Sequence, residues 1–236
     1  MKIIYFEKIL KNLKNNAAIA DFGCGAGSTL YELHQKNPSY KLYGYDIKQA
    51  KNPNDNTPYA YQMLDLDGEF IGVPDACFDF VISQHVLEHL KNPLVYFSEL
   101  VRTLKVGGFI FLETPSDRST LLSYPFQQNL NLILSYYDDP THIGRPWSPQ
   151  SLYRLGCFHK LDVICSEYDS DWRSKFKLPL SFTRFLIKKD TDKFVDDYWK
   201  ALGWCSYAVF RKNAHSSHIM DYYSFKNLPH GQLQDI

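Results

Sequence analysis

The heptad Asp21-Phe22-Gly23-Cys24-Gly25-Ala26-Gly27 has the clearest chemical content in this chain. It follows the apolar run Ala17-Ala18-Ile19-Ala20 and leads into a segment with Leu30 and Leu33 on one helical face. Closely spaced glycines between a strand and a helix let the backbone turn sharply and let a ligand approach bare main chain. A dinucleotide fingerprint reads G-x-G-x-x-G and seats a pyrophosphate on the helix N-terminus. Here the glycines run G-x-G-x-G, and Asp21 stands two residues before the first. That carboxylate repels a pyrophosphate and suits an ammonium group.

The charge pattern therefore favours a cofactor with an amino acid moiety, and S-adenosyl-L-methionine is one. Further strand ends add to this site. Lys41 to Ile47 reads as a second strand that closes on Asp46, 19 residues after Gly27, where a carboxylate can accept hydrogen bonds from both ribose hydroxyls. Asp65, after Tyr61 to Leu64, is placed to bind an adenine amino group with Leu66 packed on the ring, although Asp67-Gly68 beside it is a turn pair. Phe78 to Ile82 reads as a strand buried on both faces that ends in the polar Ser83, Gln84 and His85. Ligands of open α/β sheets sit outside the carboxyl ends of the strands. The candidate cofactor residues are thus Asp21, Gly23, Cys24, Gly25, Gly27, Asp46, Ile47, Asp65, Leu66, Ser83, Gln84 and His85.

Residues from about Ala17 to Ser116 resemble the class I S-adenosylmethionine-dependent methyltransferases. Asp21 to Gly27 match the signature D-x-G-C-G-x-G of a small-molecule group, and Phe78 to Leu90 match F-D-x-V-x-x-x-x-V-L-E-H-L. Leu104 to Phe111 is similar to the passage L-K-P-G-G-x-L, with Val106 where proline is usual. The resemblance implies a Rossmann-like seven-stranded sheet, mostly parallel with an antiparallel last strand, and helices on both faces. It implies a methyltransferase as well. It also singles out His142 in Asp139-Pro140-Thr141-His142, because the family often carries D-P-x-H in the variable loop above the methyl group. A hydroxyl acceptor benefits from a positioned base, a role that suits histidine. His142 ranks first, ahead of His85 and His89.

His85, Glu88 and His89 form H-x-x-E-H, and helical spacing would put three metal-ligand types on one face. Some ubiquinone-biosynthesis O-methyltransferases that resemble this chain carry E-x-x-E-H there and use a divalent cation. His85 in place of the first Glu weakens the case for a hard cation, and no metal is assigned.

The elements around these residues are legible from periodicity and caps. Ile3, Phe6, Ile9, Leu10 and Leu13 fall at helical spacing. Asn92-Pro93 reads as an N-cap with proline in the first turn, and Gly107-Gly108 as the stop before strand five. Ser148-Pro149 starts a helix through Leu152 and Leu155, while Lys160 to Tyr168 and Trp204 to Phe210 read as closing strands. Two insertions, at about 115–147 and 170–203, are expected to form a cover on the acceptor side of a single domain. The first holds Tyr124, Phe126, Tyr136, Tyr137, Asp139, His142, Arg145 and Trp147, and so long a connection is usually functional. In the second, Trp172, Arg173, Lys175, Phe176 and Lys177 mix basic and aromatic character, which is expected to be a solvated helical cover rather than a nucleic-acid or membrane face.

The 236 residues carry 26 Lys plus Arg and 26 Asp plus Glu. This balance gives no global reason to bind nucleic acid, and none is expected as a partner. Five cysteines without zinc-type spacing suggest reduced thiols and a cytoplasmic protein. No apolar run approaches the roughly 18 residues of a membrane span. The leading expectation is an S-adenosylmethionine-dependent enzyme that methylates a hydroxyl of a small molecule or of a sugar or glycan precursor. The aromatic loop suits a ring-bearing acceptor. No N-P-P-Y or D-P-P-Y follows strand four, which argues against DNA adenine. The alternatives are an NAD-dependent oxidoreductase and a cofactor-binding scaffold without turnover.

Overall fold

The chain alternates strands and helices until its last third. The strands are β1 (Ala18–Phe22), β2 (Lys41–Asp46), β3 (Ala60–Met63), β4 (Phe78–Gln84), β5 (Leu104–Pro115), β6 (Asp162–Tyr168) and β7 (Cys205–Arg211). The helices are α1 (Lys2–Asn12), α2 (Ser28–Lys36), α3 (Pro93–Thr103), α4 (Pro149–Phe158), α5 (Trp172–Lys188) and α6 (Thr191–Leu202). This computed structural model describes residues 2–48, 57–68, 72–120 and 132–220. Tyr124 and Phe126, expected in the first insertion, lie outside them.

One seven-stranded sheet runs in the order β3-β2-β1-β4-β5-β7-β6. The pairs β1–β2, β1–β4, β2–β3 and β4–β5 are parallel, while β7 is antiparallel to both β5 and β6. The expected mixed sheet is therefore present, with β7 inserted between β5 and β6. Side chains alternate between its two faces as strand geometry requires. Ala18, Ala20, Phe22, Ile110, Leu112, Ala208 and Phe210 join one apolar cluster with Leu100 of α3 and Leu155 of α4. Ile19, Phe111, Tyr207 and Val209 point to the other face and meet Ile9 of α1 and Leu30 of α2. Burial on both faces explains why the central strands read as continuous apolar runs.

The turn chemistry departs from expectation at two points. Asn92 occupies the N-cap of α3 but makes no side-chain cap; its N–H and that of Lys91 both donate to Asp67 Oδ1, at 3.0 and 2.8 Å. Gly107-Gly108 lies inside β5 rather than ahead of it, because Leu104 is already extended and pairs with Phe78. The ladder then resumes at Phe80 and Phe109, so the glycine pair sits in a bulge, with Gly107 at φ 87°.

The segment 170–203 folds as α5 and α6. With Leu132 and Leu134 these helices build a satellite core around Phe185, Phe194, Tyr198 and Trp204. The indole N–H groups of Trp199 and Trp204 donate to the carbonyls of Ile133 and Leu134, each at 3.0 Å. Residues 132–134 of the first expected insertion thus pack with the helices of the second at the start of β7.

Candidate active site

The glycine loop sits at the carboxyl end of β1. Gly23, Gly25 and Gly27 all have positive φ, at 83°, 53° and 77°, a region that only glycine enters readily. The N–H groups of Gly23 and Cys24 donate to Tyr45 O, at 2.7 and 3.1 Å, and tie the loop to β2. A Cβ at Gly23 would strike Val86 and one at Gly27 the ring of Tyr59, whereas one at Gly25 would meet nothing within 4 Å. Two glycines therefore serve packing, and Gly25 faces open space of the kind a cofactor fills. Gly25→Val is expected to fold, at a cost of roughly 1–2 kcal/mol for the left-handed backbone, and to lose S-adenosylmethionine binding. A calorimetric titration that finds normal affinity would place the cofactor elsewhere.

Asp46 closes β2 and holds the loop from the other side. Its Oδ2 accepts Gly25 N–H at 2.8 Å and its Oδ1 accepts Lys48 N–H at 3.0 Å. Ile47, next to it, is exposed and offers an apolar surface to a flat ring. Asp21 is buried. Desolvation first, and then the nearby Asp46, push its carboxyl from 3.8 up to about 7. A buried acid with no ion pair to a cation among the described residues fits a ligand that brings an ammonium or sulfonium, which is the charge S-adenosylmethionine carries. Burial also raises the Cys24 thiol to about 12, so it stays protonated.

The other sequence-predicted residues have different surroundings. Ser83 is fully buried, with its hydroxyl 2.8 Å from that of Tyr96. Leu66 belongs to the core below the sheet end. Asp65 is exposed and its Oδ1 accepts Asp67 N–H at 3.0 Å, an Asx turn. Gln84 donates to Glu113 Oε2 at 2.6 Å.

Beyond β4 the chain makes only a single 3-10 turn, Leu87–His89, preceded by His85 in the left-handed region at φ 55°. The expected single helical face for His85, Glu88 and His89 is therefore absent. Backbone strain of this kind concentrates at functional sites. Instead, Glu88 becomes a hub. It is fully buried, its Oε2 accepts the Thr114 hydroxyl at 3.0 Å, and its Oε1 lies 3.3 Å from His85 Nδ1 without hydrogen-bond geometry. Its backbone carbonyl accepts Ile143 and Gly144 N–H, each at 3.0 Å, so the loop that carries His142 is fastened to it.

The three histidines differ in access. His85 has a side chain 40% exposed; its Nε2 lies 4.0 Å from Cys205 Sγ and its ring 6.3 Å from that of Trp199. The His142 side chain is only 6% exposed. Its Nδ1 lies 2.7 Å from Tyr136 O, its ring stacks near Tyr136 at 4.5 Å, and Asp139 Oδ2 is 3.8 Å from Nε2. Hydrogen bonds from Thr141 hold the Asp139 carboxyl below its usual range. His89 Nδ1 faces the carbonyl and hydroxyl of Thr141 at 3.2 and 3.1 Å. Among the described residues, the ligand types close enough to share a metal fall into two groups, His85–Glu113–Cys205 and Glu88–His89–His142. The set suggested by H-x-x-E-H spacing is split between them.

Sequence reading missed Glu113, Cys205, Trp199 and Tyr59. Glu113 had a signal, a lone acid in the apolar run Ile110-Phe111-Leu112 at a strand end. The others had none, since they come from distant segments.

The model of a family described as "Methyltransferase domain" matches residues 4–161. The chain belongs to that family. It is an S-adenosylmethionine-dependent methyltransferase domain, and the oxidoreductase alternative falls. The tRNA U34 carboxymethyltransferase of Campylobacter lari is 27% identical over 194 residues, 76% of this chain and 63% of that protein. The chain thus spans less than two thirds of that relative. The malonyl-[acyl-carrier protein] O-methyltransferase of Hahella chejuensis is 31% identical over 101 residues, 41% of this chain and 36% of that protein. Phosphoethanolamine N-methyltransferase 2 of Haemonchus contortus, solved with S-adenosyl-L-methionine, shares the fold at a TM-score of 0.63 and 16% identity, over 90% of this chain and 52% of that one.

These relatives correct two expectations about this methyltransferase. Several bear a name that makes tRNA their substrate, against the expectation that nucleic acid is no partner and against the emphasis on small molecules. A balanced total charge averages over the surface and does not fix the local field that a single site presents. Among the described residues no helix is long and apolar enough to cross a membrane.

Proposed function

We propose that this chain methylates a nucleoside of tRNA at an oxygen nucleophile. The observation that carries this reading is the extent of likeness to the tRNA enzymes. It covers 76% of the chain, against the 41% shared with the acyl-carrier-protein enzyme, so it reaches past the cofactor half into the acceptor side. The side chains at the strand ends favour plain methyl over a carboxymethyl group. Glu88 and Glu113, both beside His85, would repel a carboxylated transferred group and attract a sulfonium.

His85 is the base in this reading, with Glu88 behind it. Its Nδ1 lies 3.3 Å from Oε1 of the buried Glu88, and a carboxylate at that distance favours a proton on Nδ1 by its charge and leaves Nε2 as acceptor. The acceptor hydroxyl would give its proton to Nε2, and S-adenosylmethionine, when bound, would supply the methyl group, with a neutral thioether as the leaving group. Holding the partners in line supplies most of the rate. His142 and His89 brace Glu88, and the unit of α5, α6 and residues 132–147 covers the acceptor.

The test is tRNA incubated with S-adenosylmethionine labelled in the methyl group, digested to nucleosides and analysed by mass spectrometry. Label on one modified nucleoside is expected. Label in a metabolite extract with none in tRNA would overturn this reading.

A further inference from the structure

The helix α5 is apolar on two sides, of which one faces solvent. At about 100° per residue, Trp172, Phe176, Leu180 and Ile187 fall within one arc of about 80°, and all four are exposed, Phe176 at 77% and Ile187 at 75%. The arc opposite is the buried one, and there Leu178, Phe182 and Phe185 pack on the satellite core beside the buried Ser174 and Ser181. A helix that only covers a core is polar on its outer face. The exposed stripe is also framed by cations: Arg173, Lys177, Arg184 and Lys188 line one border, Lys175 the other, and no acidic residue occurs from Trp172 to Lys188.

We propose that the outer face of α5 docks on an anionic lipid surface, with the apolar stripe in the headgroup boundary and the lysines and arginines against lipid phosphates. Interfacial helices combine Trp, Phe and Leu on one face with a basic border in this way. The other occupants fit less of what is exposed. Single-stranded RNA rewards the aromatic rings by stacking, yet it gives Leu180 and Ile187 nothing comparable. A symmetric second copy would bring each basic border against its twin. Because α5 packs on α6, which carries Trp199 beside His85, docking brings the acceptor-side cover to the lipid. This inference does not depend on the nature of the acceptor.

The experiment is flotation of the full chain with vesicles of phosphatidylcholine alone or mixed with phosphatidylglycerol. The chain is expected to float with the anionic vesicles and not with the neutral ones, and to be released by salt. The double substitutions Arg184→Glu/Lys188→Glu and Phe176→Ser/Leu180→Ser should each reduce that partition about 10-fold or more, with S-adenosylhomocysteine affinity unchanged as proof of folding. No partition onto anionic vesicles overturns the proposal, as does partition that both variants retain. A loss of tRNA binding in the same variants with lipid partition intact also overturns it, and assigns the face to nucleic acid.

Discussion

His85→Ala is expected to lower turnover by about 10²–10⁴-fold, the usual worth of a positioned general base, with cofactor affinity nearly unchanged. The ascending limb of the pH–rate profile should vanish with it, because that limb reports a base that must lose its proton before it can act. His142→Ala separates the two histidines. With a side chain 6% exposed and Nδ1 held against Tyr136 O, His142 shapes the loop, so its removal should raise the acceptor KM and keep the limb. The opposite outcome, a limb lost with His142 and kept without His85, would return the base to His142, where the family resemblance puts it. Single-turnover rates across pH for both variants decide the matter.

Asp21→Asn is expected to stabilise the protein and impair its site. The folded-state carboxyl titrates near 7 against 3.8 for the free group. A carboxyl raised by folding contributes stability that is fully present below the lower value and is lost as pH rises through the upper one. The ligand-free parent should therefore lose stability from about pH 4 to pH 7 through this group, and the Asn variant should lack that component of the slope. Cofactor affinity moves the other way, since the ammonium and sulfonium need the carboxylate. It should rise with pH through about 7 in the parent, and fall by roughly 3 kcal/mol in the variant, as when one partner of a buried ion pair is removed. Thermal melts and calorimetry across this range measure both. A variant with parental affinity and a parental stability slope would remove Asp21 from the site.

Glycine spacing, strand-end acids and continuous apolar runs are local properties, so the sequence alone made legible the Rossmann-like sheet, the glycine turn from Asp21 to Gly27 and the place of Asp46 at the end of β2. Turn details were less legible. The cap of α3 and the bulge at Gly107-Gly108 depend on what a neighbouring segment offers, Asp67 in one case and the β4 ladder in the other. Only the tertiary structure decided the surroundings of the three histidines. The left-handed backbone at His85, its meeting with Glu88, Cys205 and Trp199, and the withdrawal of His142 all join segments far apart in the chain, and no local pattern encodes which imidazole keeps its face to solvent. The same holds for α5. Its wheel carries apolar residues on both arcs, and only the packing of Ser174, Ser181 and Phe185 against the satellite core leaves Trp172, Phe176, Leu180 and Ile187 outside. A helix wheel lists what each arc bears, but burial is fixed by the partner that arrives.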